Sequence, residues 1–408
     1  MYLYSEKLLS LASEAEKNLS DIFAETDKIS YKNTERIMSA FRDNRVSEAH
    51  FAPSSGYGYD DRGREALDRI YAAAMGCEAA IVRPHIVSGT HALTIGLFGL
   101  LRPGDTMLSI TGKPYDTLDD VIGISGHGMG SLSDYGIKYM QTELDGDITG
   151  ALDGTVKLVY IQRSKGYMNR RTLTVAEINN MIRHIKANSN AYVMVDNCYG
   201  EFTETEEPEA DLLVGSLIKN PGGGMAESGG YLAGSARTVE LASYRLTCPG
   251  VGGEAGSSLG QIKAMYRGIF VAPHVVAQAL KTAHFAAYIF DKLGYEVEPA
   301  WDVLRSDIIQ AVRFGHPDLL RVFCRGIQAG SPVDAYVTPE AWDMPGYSDK
   351  VIMAAGTFVQ GASIELSADG PMREPYTAFF QGGLTYESGK IGIMTAAEAV
   401  MDYTGAEK

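Results

Sequence analysis

Lys219 follows a short apolar run, residues 212–214, and the small polar Ser216, and three glycines come soon after it, behind Asn220 and Pro221. Such a run reads as a buried strand that delivers one amine to an irregular turn. A second apolar run, residues 192–195, ends in Asp196. A lysine and an aspartate at the carboxyl ends of neighbouring strands are what pyridoxal 5'-phosphate (PLP) chemistry requires. The amine forms a Schiff base, and the carboxylate keeps the pyridine nitrogen protonated so that the ring accepts electrons. A solvated loop lysine and an aspartate cap would present the same two residues, so the surrounding chain has to decide.

Ser88, Gly89 and Thr90 open a helical pattern just after an apolar strand. Free N–H groups and the helix dipole suit a phosphate there, and an ordinary serine cap would use the same residues. No Lys-Ser or Lys-Thr follows the glycine, so this is not a Walker loop. The Ser216 hydroxyl is placed to reach the same phosphate, or it is simply a satisfied strand-end hydroxyl. Tyr115, after the next strand, could stack on a flat heteroaromatic ring or staple a helix start. The turn-rich segment 54–63 offers the phenols of Tyr57 and Tyr59 and the guanidinium of Arg62, donors suited to phosphate recognition or to a packed surface turn. Arg373, in a glycine- and proline-marked loop, is a candidate bidentate clamp for a substrate carboxylate, and equally a surface charge.

These residues need strands and helices to hold them. Apolar strands are expected at 79–82, 106–110, 156–162, 192–195, 212–216 and 230–233, with helices at 89–101 and 174–186. The alternation predicts an α/β fold with a mostly parallel central sheet, whose ligands bind beyond the carboxyl ends of the strands. Residues 1–52 read as a helical arm that must pack on the body or on a partner. Residues 53–255 read as the large domain, and 256–408 as a spine helix with a smaller α+β domain.

Composition narrows the function classes. Among 408 residues, 36 are basic and 51 acidic, and the net charge of −15 argues against nucleic acid or an anionic membrane as partner. Cys77, Cys198, Cys248 and Cys324 are widely spaced, so neither a disulfide framework nor a zinc site is indicated. The eight histidines form no HExxH pattern, and no metal is expected. The first residues lack a signal-peptide pattern and no apolar run is long enough to span a bilayer, so a cytoplasmic protein is expected.

The order of phosphate loop (Ser88, Gly89, Thr90), aromatic (Tyr115), aspartate (Asp196) and Ser216-x-x-Lys219 resembles the fold-type I PLP enzymes. It is similar in particular to the Cys/Met-metabolism branch of cystathionine and methionine lyases. Residues 56–65 (GYGYDDRGRE), 218–224 (IKNPGGG) and 381–387 (QGGLTYE) resemble one group in that branch, the methionine γ-lyase-like or aluminium-resistance-associated cystathionine β-lyase-like proteins. The resemblance implies a PLP-dependent carbon–sulfur lyase acting on a sulfur-containing amino acid. It implies that Lys219 carries the cofactor covalently, Asp196 pairs with the pyridinium and Tyr115 stacks on the ring. Gly89, Thr90 and Ser216 would hold the phosphate, and the neighbouring subunit's loop with Tyr57, Tyr59 and Arg62 would complete it. A homodimer or homotetramer with shared active sites follows from that. A phenol, Tyr57 or Tyr59, would assist at the leaving sulfur, and Arg373 best matches the substrate-carboxylate arginine. Other reactions of the same cofactor, transamination or aldol cleavage, and a non-catalytic ligand-binding role are the competing readings.

Overall fold

Apolar runs without polar alternation need cover on both faces, and the helices between them supply it. The computed structural model describes residues 4–406 apart from His127, Asn169, Pro345 and Gly346. The chain opens with α1 (Glu6–Asn18), α2 (Ser20–Asp43) and α3 (Arg62–Ala74). Next come β1 (Ala79–Arg83), α4 (Gly89–Leu100), β2 (Thr106–Ser109), α5 (Asp119–Ile122) and β3 (Lys138–Gln141). They are followed by α6 (Ile148–Ala151), β4 (Val156–Gln162), α7 (Val175–Asn188), β5 (Tyr192–Asp196), β6 (Leu212–Ser216), β7 (Gly230–Gly234) and α8 (Ala236–Leu246). These strands form one sheet in the order β1-β7-β6-β5-β4-β2-β3, in which only β7 runs against its neighbours.

Alternation along each strand decides which layer a side chain joins. Met194, Leu212 and Val214 face one apolar layer with α4 and α8, while Val193, Val195 and Leu213 face the other. The second layer receives the first half of α9 (Ile262–Lys292), a helix of 31 residues. Pro273 lies inside α9 and withholds one N–H from its ladder.

The other half of α9 belongs to a second core. Phe285, Ile289 and Phe290 pack there against a five-stranded antiparallel sheet and its helices. That part comprises β8 (Glu296–Glu298), β9 (Ile309–Arg313), α10 (Pro317–Ala329), β10 (Val351–Ala355), β11 (Leu366–Pro371), β12 (Thr377–Gly382) and α11 (Tyr386–Ala406), with the sheet order β10-β11-β12-β9-β8. One continuous helix therefore fixes the two sheets relative to each other. The amino-terminal helices find their cover on this body. Leu8, Ala12 and Ala15 of α1 enter the second core, and Ile37 and Ala40 of α2 enter the first. Among the described residues no helix is long and apolar enough to cross a membrane.

Two differences from the sequence reading have plain causes. Arg62 belongs to α3, not to the turn before it, because the Asp61 carboxylate caps the helix by accepting from the Arg64 N–H at 2.9 Å. Residues 368–371, read as loop, are strand, because β10 and β12 pair with them from both sides.

Helix α4 is held close to α8. A Cβ added at Gly99 would stand 2.7 Å from the Ala242 Cα and 3.1 Å from its nitrogen, both backbone atoms that cannot swing aside. Gly99→Ala should therefore cost about 1–2 kcal/mol in denaturant unfolding, after the ~1 kcal/mol gain in helix propensity is counted. Gly154→Ala, where nothing lies within 4 Å, should change stability by less than about 0.5 kcal/mol. Equal midpoints for the two variants would contradict this packing.

Candidate active site

Parallel pairing brings the carboxyl ends of β4, β5 and β6 to one edge of the sheet. Gln162 pairs with Asp196, and Asp196 pairs with Val214, two residues short of Ser216. Beyond that edge lies a cavity of about 240 Å³, closed on its far side by the second sheet. Lys219, Asp196, Ser216, Ser88, Gly89, Thr90 and Tyr115 all line it. Residues up to 131 positions apart in the chain thus share one wall, from Ser88 to Lys219.

The ammonium of Lys219 lies 4.0 Å from the centre of the Tyr199 ring. Burial works against its charge. The acidic groups of Cys198, Tyr199 and Asp196 and a hydrogen bond that the ammonium donates to Tyr199 outweigh burial, and the pKa stands above the ordinary lysine value. Tyr199 itself has a φ of 71°, a left-handed backbone that a bulky side chain rarely adopts. Such a conformation costs about 1–3 kcal/mol and persists only where its surroundings impose it. They do so here. The Asn220 side-chain amide donates to the carbonyls of Tyr199 and Glu201 at 3.0 Å each, and the Ile308 N–H donates to Tyr199 at 3.2 Å. Buried Arg163 ties the same loop down, donating to Asn197 at 2.9 Å, Glu207 at 3.1 Å and Glu204 at 2.9 Å.

Helix α4 starts beside the lysine. Ser88 caps it, its hydroxyl oxygen accepting from the His91 N–H at 3.0 Å, as the serine-cap reading expects. A Cβ on Gly89 would lie 3.4 Å from Cys198 Sγ, 3.6 Å from Ser216 Cβ and 3.7 Å from Lys219 Nζ. The absence of a side chain at Gly89 leaves the helix end open toward the amine. Thr90 and Thr117 share a hydrogen bond of 2.7 Å at the same mouth.

Asp196 is buried and fixed from two sides. The Tyr160 hydroxyl donates to Oδ2 at 3.2 Å, and the Cys198 N–H donates to Oδ1 at 3.1 Å. Burial, and then the charge of Asp196, keep the Tyr160 phenol protonated as a donor. Tyr115 is half-buried. Its N–H donates to Gln162 Oε1 at 2.8 Å, and its hydroxyl bonds that of Tyr347.

This donor set fits PLP. The buried Ser216 hydroxyl has no protein partner among the described residues and stands next to the open α4 terminus, as a phosphate would require. A fixed carboxylate, an aromatic and an amine complete the same cavity.

The comparisons with known proteins agree. The methionine gamma-lyase family profile matches residues 8–401. The chain belongs to the methionine gamma-lyase family. YnbB of Bacillus subtilis (strain 168), an uncharacterized protein, is 51% identical over 410 residues, with 98% of this chain and 97% of YnbB covered. The crystal structure of a candidate cystathionine beta-lyase involved in aluminium resistance from Listeria monocytogenes str. 4b F2365 is similar with a TM-score of 0.94 at 49% identity. It covers 96% of this chain and 100% of that one. A carbon-sulfur lyase involved in aluminium resistance from Clostridium novyi NT gives 0.93 at 49% identity, covering 97% and 96%. A pyridoxal-5'-phosphate-dependent protein, YhfS of Escherichia coli, shares the fold with a TM-score of 0.60 at 16% identity, over 92% of this chain and 96% of that one. The architecture is that of fold-type I PLP enzymes.

Within this family member, two groups of expected site residues lie apart from the cavity. Tyr57 and Tyr59 are 73% and 58% exposed, stacked on each other with ring centroids 5.3 Å apart, and Arg62 is exposed on the first turn of α3. Arg373 sits in the turn after β11, 2.7 Å from Asp349, and lines a separate hollow with Lys165 and Arg313. Tyr167 stands between the two hollows, its ring 5.9 Å from that of Tyr115 and 5.0 Å from that of Phe379. Several cavity residues escaped the sequence reading: Tyr199, Tyr347, Asp369 and Gln381. Only Asp369 carried a local signal, the apolar-polar alternation of residues 366–369.

Glu201, in the same strained loop, is fully buried. One oxygen accepts from the Tyr231 hydroxyl at 3.0 Å and the other has no partner among the described residues. Burial, aided by the charge of Glu207, pushes its carboxyl up from 4.5 to about 8. The folded state then holds a proton that the unfolded state releases. Stability is therefore unaffected below about pH 4.5 and falls as pH rises toward about 8, by on the order of a few kcal/mol in all. Glu201→Gln is neutral at every pH and should remove this slope. Its melting temperature should match the wild type near pH 5 and exceed it above pH 8; an equal gap at both would refute the assignment.

Proposed function

We propose that the protein is a PLP-dependent carbon–sulfur lyase that cleaves a sulfur-containing amino acid, in the manner of a cystathionine β-lyase or methionine γ-lyase. The observation that carries this reading is the convergence of Lys219, Asp196 and the open α4 terminus at Gly89 on one cavity. The lyase activities ascribed to the Listeria and Clostridium relatives support it.

Lys219 would hold the cofactor covalently, Asp196 its ring nitrogen, Tyr115 one ring face, and Gly89, Thr90 and Ser216 its phosphate. When bound, the cofactor supplies an electron sink that makes the proton on the carbon beside the substrate amine acidic. The chain's own part is positional. Tyr160 and the Cys198 N–H hold the Asp196 carboxylate in one orientation. The Lys219 amine, once displaced by the substrate amine, takes the substrate Cα proton as general base. Tyr199, held by its strained backbone, keeps Nζ aimed into the cavity.

The stacked pair of Tyr57 and Tyr59, with Arg62, is presented outward. In this reading it serves the phosphate and the leaving sulfur of a second copy, so the active unit is a homodimer or homotetramer. The exposed Met38 and Phe270 beside Phe41 and Phe51 supply apolar surface for such a contact. The cytoplasm, where amino-acid substrates and the cofactor are available, is the proposed compartment.

The purified protein should show the near-visible absorption of a lysine-linked pyridoxal and release a 2-oxo acid and ammonia from thioether amino acids. Lys219→Ala should lose the band and on the order of 10²–10⁴ of the rate. A colourless wild type that gains no band with added PLP would sink the proposal. A requirement for an amino acceptor would move it to transamination.

A further inference from the structure

The second sheet covers two hollows with one face. Toward Gln381 and Asp369 it closes the cavity. Farther along β9 and β12, where Phe379 pairs with Ala311 and Thr377 with Arg313, it floors another hollow. That second space has a volume of about 110 Å³, with Phe379, Ala311 and Pro371 as its apolar floor. The segment after β4 closes it from the large sheet. Ser164 and Gly166 of that segment line the cavity, whereas Lys165 and Tyr167 line the hollow.

Charge is sorted by depth in this hollow. Lys165 is 2% exposed, whereas Glu298 is 54% and Glu296 62% exposed at the rim. Arg313 pairs with Glu296 at 2.7 Å and Arg373 with Asp349 at 2.7 Å, and Glu374 is exposed. The acidic groups therefore face solvent, and the innermost charge is positive.

That charge is short of acceptors. An ammonium has three N–H donors. Lys165 donates to the Glu298 carbonyl at 3.1 Å and stands 3.6 Å from the carboxylate of the same residue, which leaves one donor over. The charge of Asp307 attracts it, but the Asp307 carboxylate is taken up elsewhere. It accepts from the hydroxyls of Ser164 at 2.8 Å and Thr172 at 2.5 Å and from the Ile309 N–H at 3.1 Å. Arg170, which also lines the hollow, gives its terminal N–H groups to the carbonyls of Gln162, Ser164 and Arg171, and its buried Nε has no partner among the described residues. Burial outweighs the acidic neighbours, the charge of Arg305 adds to it, and the Lys165 pKa is lowered. Buried charges in native proteins are paired, so the missing partner is an anion.

The lining narrows that anion. A point charge above an apolar floor suits an organic carboxylate with a short apolar chain. Inorganic phosphate would leave the floor uncovered and bring a second negative charge toward Glu296 and Glu298.

We propose that this hollow is a second binding site, distinct from the cofactor cavity, for a small organic carboxylate held by Lys165 over Phe379 and Ala311. The two sites share Tyr167 as a wall. Its ring lies 5.0 Å from that of Phe379 on one side and 5.9 Å from Tyr115 and 5.7 Å from Tyr347 on the other. Its hydroxyl bonds the Asp369 carboxylate of the cavity. The site stands whatever reaction the cavity performs.

Butanoate carries the carboxylate and the short chain, and it has no ketone to react with the Lys219 amine. Butanamide has the same shape without the charge. Calorimetric titration of the purified protein should give saturable butanoate binding with a Kd at or below about 1 mM, reasonable for a ligand of about six non-hydrogen atoms. Butanamide should bind at least about tenfold more weakly, the size expected of one charge-assisted hydrogen bond. Lys165→Met should weaken butanoate by a similar factor, and Lys219→Ala should leave its Kd within about twofold. Thr377→Leu narrows the hollow at a half-buried strand position and leaves Lys165 in place. It should weaken butanoate as well, and it covers the case of a Lys165→Met chain that does not fold. No saturable binding up to about 20 mM overturns the site, as does equal affinity for the amide. An unchanged Kd in Lys165→Met or, where that chain does not fold, in Thr377→Leu overturns it. Loss of binding in Lys219→Ala assigns butanoate to the cavity and overturns it too.

Discussion

A lysine ammonium half-buried against a tyrosine ring is the constraint on which the rest of the structure depends. Lys219 can sit at the floor of a cavity only because negative and polarisable groups surround it: Asp196, Cys198 and the Tyr199 ring at 4.0 Å. Asp196 ends β5, Cys198 and Tyr199 follow it directly, and Lys219 comes from the segment after β6. Their meeting requires β5 and β6 to be parallel neighbours in a fixed register, which the two apolar layers on either face of the sheet impose.

The strain at Tyr199 shows how much structure is spent on that meeting. A left-handed tyrosine is tolerated because Asn220, one residue past the lysine, donates to its carbonyl, and because Arg163 anchors the loop from below. The segment that presents the amine is thus tied to the residue whose ring faces it. The second sheet contributes from the opposite side. Its polar face is buried over the cavity while its apolar face packs on α10 and α11, so the same alternation that builds the small core also builds one wall of the cavity.

Much of the large sheet was legible in the chain. Residues 79–82, 156–162, 192–195 and 212–216 read as strands because continuous apolar runs bounded by turn formers leave few alternatives, and β1, β4, β5 and β6 lie there. Helix α8 was not foreseen, because its buried apolar residues, Val239 and Ala242, are few and its capping serine, Ser235, follows a strand without a break. The antiparallel sheet was read only as β-rich. Its strand β11 contains serine, aspartate, glycine and proline, residue types that local propensity assigns to loops, and pairing on both sides overrides that preference.

The sequence by itself placed Lys219, Asp196, Ser216, Gly89 and Tyr115 at strand and helix ends, because such positions are set by local apolar period and capping, and all five line one cavity. Only the tertiary structure decided what faces them. Asp369 and Gln381 enter the cavity through long-range strand pairing, and Arg373 is carried past it by the end of the same strand. Tyr57, Tyr59 and Arg62 remain on the outside for a related reason: their loop is tied to residues 256–259, as in the bond from the Gly256 N–H to the Tyr57 carbonyl at 2.9 Å. Local period places a residue at an element's end, and packing between elements settles which cavity that end looks into.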